Sequence, residues 1–136
     1  MRFWVYMLFV GKKIQGNKRR IYTGFTSRLM SRIAQHSGLA STKGSRTTRR
    51  QRIELVYLEL FPSRKKAMQR EWQLKHENPF NQKEHKLTLI QEFQLNYGEL
   101  LQELNTKLDK HYEFLIDIGK TMQRVERRLI SEIRNK

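Results

Sequence analysis

Apolar residues change their spacing along this chain, and each change marks an element. Residues 2–10 (RFWVYMLFV) are dense in aromatic and β-branched types and predict a strand, since such side chains pack well on a pleated surface. Gly11, Gly16 and Asn17 supply turn material, and IYTGF (21–25) predicts a second strand antiparallel to the first. Thr26 and Ser27 are candidate N-caps for a helix to about His36, with Gly38 as its stop. Residues 37–52 are small, polar and strongly basic, the composition of a loop. IELVYLELF (53–61) alternates apolar and polar positions as a half-buried strand does. Ser63 then caps a helix whose faces carry Ala67, Met68, Glu71, Trp72 and Lys75, and Asn78-Pro79 breaks the chain. A short helix is expected between 83 and 96.

From Leu101 the spacing changes again. Leu101, Leu104, Leu108, His111, Leu115, Ile118, Met122, Val125 and Leu129 follow alternating three- and four-residue steps, a heptad seam of about four repeats. A long helix with so narrow an apolar stripe needs a surface to cover it. That surface is either the chain's own core or a second copy. Flanking residues Glu103, Lys107, Lys110, Glu113, Lys120 and Arg124 put both signs of charge along the border and favour a coiled-coil homodimer. The expected fold is α/β: a small antiparallel three-stranded sheet flanked by helices, with a long C-terminal helix. Residues 1–96 would form the main domain and 97–136 a helical, coiled-coil segment.

Composition narrows the function. Of 136 residues 38% are hydrophobic, enough for one modest core. Cysteine is absent, which removes disulfides, thiolate zinc sites and a cysteine nucleophile together. The apolar N-terminal run lacks the flanks of a signal peptide and is too short to span a bilayer. A location inside the cell and no membrane partner are therefore expected. The formal net charge is +15, and its distribution is uneven. Residues 1–75 hold 18 Lys and Arg against three acids, Glu54, Glu59 and Glu71, whereas residues 76–136 hold ten of each sign. A basic half beside a neutral half is the footprint of a polyanion-binding face, DNA foremost.

Strand tyrosines are usually packing residues, and Tyr6 and Tyr22 would pass as such in isolation. Together with their surroundings they do not. Val5-Tyr6-Met7 and Tyr22-Thr23-Gly24 stand on paired strands, Arg32 and His36 follow at i, i+4 on one helix, and Glu71 lies on the next helix among basic residues. These spaced elements, over residues 2 to about 90, resemble the GIY-YIG nuclease superfamily. Within it, the run from Gly24 to Gly38, the basic loop and the Glu71-Trp72 pair are most similar to the scaffold-dependent, structure-specific endonuclease branch, which acts on branched DNA and in DNA repair. That branch's zinc-binding module has no counterpart in a chain without cysteine, and the first half-motif reads VYM, keeping only the tyrosine of GIY.

The resemblance implies a DNA endonuclease dependent on Mg2+ or Mn2+. Tyr6 would be the general base or would orient the attacking water, its pKa lowered by neighbouring cations. Tyr22 would share its hydrogen-bond network, Arg32 would hold the scissile phosphate through its planar fork, and His36 would assist proton transfer or position Tyr6. Glu71 would ligate a single hard cation, for which one carboxylate plus water suffices. Lys12, Lys13, Arg19, Arg20, Lys43, Arg46, Arg49, Arg50 and Lys75 would flank the site and contact phosphates without reading bases. His76, His85 and His111 lack metal-ligand spacing and are structural. Two other functions stay open at this level: a non-catalytic or RNA-directed binding module on the same fold, and a coiled-coil adaptor anchored to DNA.

Overall fold

A computed structural model describes the backbone of residues 2–11, 19–36, 53–113 and 118–134, and within these the side chains other than 34–36, 107–113, 118–122 and 134. In chain order the elements are β1 (Phe3–Val10), β2 (Arg20–Thr26), α1 (Leu29–His36), β3 (Ile53–Phe61), α2 (Arg64–His76), α3 (Lys83–Glu113) and α4 (Ile118–Arg134). The sheet is antiparallel with order β2-β1-β3, so the most apolar strand is central. Trp4 to Leu8 are all buried, because β1 is hydrogen-bonded on both edges and covered by helices. The expected α/β architecture, a three-stranded antiparallel sheet flanked by helices with a long C-terminal helical part, is the observed one.

Local signals explain most element ends. The Ser63 hydroxyl accepts a hydrogen bond from the Lys66 N–H at 3.2 Å and caps α2. Thr26 Oγ1 accepts from the Arg28 N–H at 3.0 Å, turning the chain from β2 into α1. The first turn of α1 is also held from a distance: the Leu29 N–H donates to the Glu126 carboxylate on α4. Burial pushes the Glu126 carboxyl up, and Arg2 opposes the shift.

Strand β3 departs from the expected alternation. Leu55, Val56, Tyr57 and Leu58 are consecutively buried, because β3 is contacted by both α3 and α2. Its register against β1 shifts between Met7 and Leu8, where Tyr57 pairs with Met7 and Leu55 with Leu8. Asn105 of α3 meets the backbone there. Its Oδ1 accepts from the Leu55 N–H at 2.9 Å, and its Nδ2 donates to the Leu55 carbonyl at 3.1 Å.

The C-terminal half differs from the expectation in two ways. First, α3 runs unbroken from 83 to 113, through the boundary placed at 96/97. Gly98 is weak helix material by about 1 kcal/mol against alanine, yet packing on either side overrides it. Ile90 and Phe93 before it, and Leu100, Leu101 and Leu104 after it, enter one core. Second, the seam is divided between α3 and α4, and its described positions are occupied from within. Leu101, Leu104, Val125 and Leu129 are at most 5% exposed and pack with Trp4, Leu8, Leu29, Ile33 and Leu55. Those side chains are not available to a coiled-coil partner. Heptad spacing shows only that one stripe is apolar, and here the sheet and α1 cover it. The side chains of Leu108, His111, Leu115, Ile118 and Met122 lie outside the described residues. A smaller cluster of Val5, Ala67 and Leu74 joins α2 to the sheet.

Candidate active site

Tyr6 sits at the middle of the central strand, paired with Gly24 on β2 and Leu58 on β3. Its ring is fully buried and crosses directly over Gly24. A Cβ at position 24 would lie 2.6 Å from Tyr6 Oη and 2.7 Å from Cζ, so only glycine lets the phenol lie there. Tyr22, two residues back on β2, stands with its ring centroid 6.3 Å from that of Tyr6, tilted by 34°. The guanidinium of Arg32, from α1, hydrogen-bonds to both phenol oxygens. Three elements thus deliver Tyr6, Tyr22 and Arg32 to one spot.

Glu71 arrives from α2, with its side chain 20% exposed, and is close enough for its charge to act on the Tyr6 phenol. Lys75, one turn on, has Nζ at 3.5 Å from Glu71 Oε1 and 6.0 Å from the Tyr22 ring centroid. Lys86, at the start of α3, is half-buried beside Lys75, and its ammonium is pushed down by desolvation first and by that like charge second.

The electrostatics of Tyr6 run against the expectation that cations would lower it. Burial dominates and pushes the phenol well above its ordinary range, and the charges of Tyr22 and Glu71 act in the same direction. Arg32 opposes them by charge and hydrogen bond and does not prevail. Burial also works against the charge on Arg32, but the two phenol oxygens outweigh it. Basic residues are abundant in this half of the chain, yet the contact that Arg32 makes with the buried phenol does not offset desolvation.

Among the described residues, no group of three or more His, Cys, Asp or Glu could hold a metal ion. A divalent cation here would therefore take Glu71, water and phosphate oxygens. That set is all hard oxygen, as Mg2+ or Mn2+ prefers, and a half-buried carboxylate with one long ion pair fits it.

Other expected site residues are placed as follows. His36 ends α1, with its side chain outside the described residues, as are Lys12, Lys13, Lys43, Arg46, Arg49 and Arg50. Arg20 is exposed at the start of β2. Arg19 is committed elsewhere: its Nη1 donates to Glu54 Oε2 at 2.7 Å, and its guanidinium lies 4.3 Å from the Phe9 ring centroid. With 12% of its side chain exposed, it braces the strands rather than offering a charge to DNA. His76 packs beside Trp72 and His85 against the edge of Phe80. Two contributors escaped the sequence reading. Gly24 was legible only as part of a half-motif, and nothing in the sequence ties Lys86 to Lys75 across the Asn78-Pro79 break.

Over 73 residues the chain is 38% identical to the UPF0213 protein of Staphylococcus haemolyticus, covering 53% of this chain and 80% of that protein. It is 33% identical over 58 residues to the UPF0213 protein of Lactiplantibacillus plantarum, covering 43% and 57% respectively. A UPF0213 protein of Staphylococcus epidermidis is 30% identical over 80 residues, covering 58% and 89%. These relatives bear the UPF0213 name rather than that of the scaffold-dependent branch. No solved structure matches the chain. Among the described residues no helix is long and apolar enough to cross a membrane. Residues 2–85 match the model of the GIY-YIG catalytic domain, and the chain belongs to the GIY-YIG family.

Proposed function

We propose that this protein is a divalent-metal-dependent endonuclease that hydrolyses DNA phosphodiester bonds, with branched or otherwise structured DNA as its substrate. The observation that carries the reading is the convergence of Tyr6, Tyr22 and Arg32 in one hydrogen-bonded group within charge range of Glu71. Hydrolysis needs an aligned water, neutralised phosphate charge and a route for the proton. Arg32 sits where its fork can take the phosphate, and its bonds to two phenols fix its direction. Tyr6, held neutral by burial, aligns the attacking water through its hydroxyl, and Tyr22 completes the network. As general base Tyr6 would need a further cation beside it. Glu71 would hold a divalent ion, which would supply that charge and neutralise the phosphate oxygens. His36, on the same helix as Arg32, is assigned to proton transfer on the strength of the family pattern.

Arg20, Lys75 and Lys86, with the basic residues 12, 13, 43, 46, 49 and 50, supply backbone contacts to the DNA. A homodimer through the C-terminal helix is not part of the proposal, since the described seam residues are buried in the chain's own core. The test is cleavage of supercoiled plasmid and of a panel of branched DNAs with Mg2+ or Mn2+. Nicking that needs the metal and stops with chelator is expected. Tight binding without any cutting would leave a DNA-binding module in its place.

A further inference from the structure

Helix α2 carries one large apolar side chain for which the fold has no use. Trp72 is 58% exposed, and its neighbour one turn back, Met68, is 45% exposed. The side that α2 turns to the sheet is supplied by Ala67 and Leu74, both fully buried. Trp72 points away from that side and lies beside the ring of His76, centroid to centroid 5.4 Å. An exposed tryptophan on a chain this basic asks for a ligand with a flat apolar face.

Three observations say which ligand. Trp72 adjoins Glu71 in sequence, so the indole and the candidate metal ligand leave α2 about 100° apart on neighbouring shoulders. The helix that carries the indole is cationic: Arg64, Lys65, Lys66 and Lys75 are all exposed on it. A recess on the flank of α2 away from Glu71 is lined by Phe61, Lys66, Gln69, Arg70, Gln73 and Glu77 beside the indole, and offers amide groups able to donate and accept. A flat apolar ring on a cationic helix matches a nucleobase with its phosphate. A base can reach such a ring only when it is unpaired.

We propose that Trp72 is a stacking platform for an unpaired base next to the cut phosphate, which makes DNA with a single-stranded segment the preferred substrate class. The inference rests on the nuclease reading of the neighbouring site, but it is tested without catalysis. The full chain, in chelator, is titrated with octathymidylate and separately with a blunt hairpin duplex, following tryptophan emission. Trp4, the other tryptophan, is 1% exposed and serves as an internal reference for the fold. Octathymidylate should quench the Trp72 emission. Trp72→Ala should weaken octathymidylate binding about 5- to 150-fold, the range for losing one base–aromatic stack, with duplex affinity within about twofold. Trp72→Phe should recover most of the loss, because a phenyl ring still stacks. Equal octathymidylate affinity of wild type and Trp72→Ala overturns the proposal, as does an equal loss on oligonucleotide and duplex. If stacking holds while plasmid cleavage fails, the nuclease reading falls alone; the reverse pattern removes the platform alone.

Discussion

A single methyl group at Gly24 would press into the fully buried Tyr6 phenol. The ring has no free space to yield into, so Gly24→Ala should destabilise the protein by about 1–3 kcal/mol, as overpacked cores do, and displace the phenol. A lowered denaturant midpoint together with lost cleavage checks it. Arg32→Ala removes the donor that the two phenols share. Its cleavage rate should fall about 100- to 1,000-fold, the effect of deleting one preorganised donor. Burial is also the main cause pushing both Tyr6 and Tyr57 above their ordinary range. A protonated phenol is favoured in the fold, so this stabilisation is fully present below about pH 10, the unfolded value, and is lost as pH rises through the folded pKa. Denaturant midpoints should therefore drop steeply above about pH 10, and less steeply for Tyr57→Phe. At this scale the sequence was legible in residue identity but not in environment. Tyr6, Tyr22, Arg32 and Glu71 could be picked out by their resemblance to the family pattern. That the Tyr6 phenol lies against Gly24, and that Arg19 is spent on Glu54, depends on neighbours 18 and 35 residues away.

Elements were legible where the signal is local. The strands of β1 and β2, the Ser63 cap and the Asn78-Pro79 break are written in a few adjacent residues each. The same reading misjudged β3 and α3 because long-range cover decided them. β3 is buried without alternation beneath two helices, and α3 continues past Gly98 because its side chains are needed on both sides. Asn105 illustrates the point. In sequence it is one polar residue in a helix, yet it satisfies both backbone groups of Leu55 at the register shift. Asn105→Leu should leave that N–H and carbonyl unpaired, each loss worth about 1–3 kcal/mol. A fall in thermal midpoint, without change in DNA affinity, is the expected result.

Across the whole molecule, the C-terminal helices complete the core and, through Glu126 on Leu29, hold the start of the helix that bears Arg32. Truncation after residue 96 removes Leu100, Leu101, Leu104, Val125 and Leu129 from the main cluster. It should yield an insoluble or unfolded chain, and light scattering of the intact protein should give a monomer. DNA affinity should fall steeply between roughly 50 and 200 mM salt, since the charge excess of the first 75 residues displaces condensed counterions. The most direct test of the nuclease account compares wild type with Glu71→Gln for plasmid cleavage in Mg2+ and for DNA binding in chelator. The substitution keeps the shape of the side chain and removes its charge. Cleavage should be abolished and binding equal or tighter, because a negative charge is removed near the bound DNA. Metal-dependent cutting retained by Glu71→Gln would contradict the nuclease account.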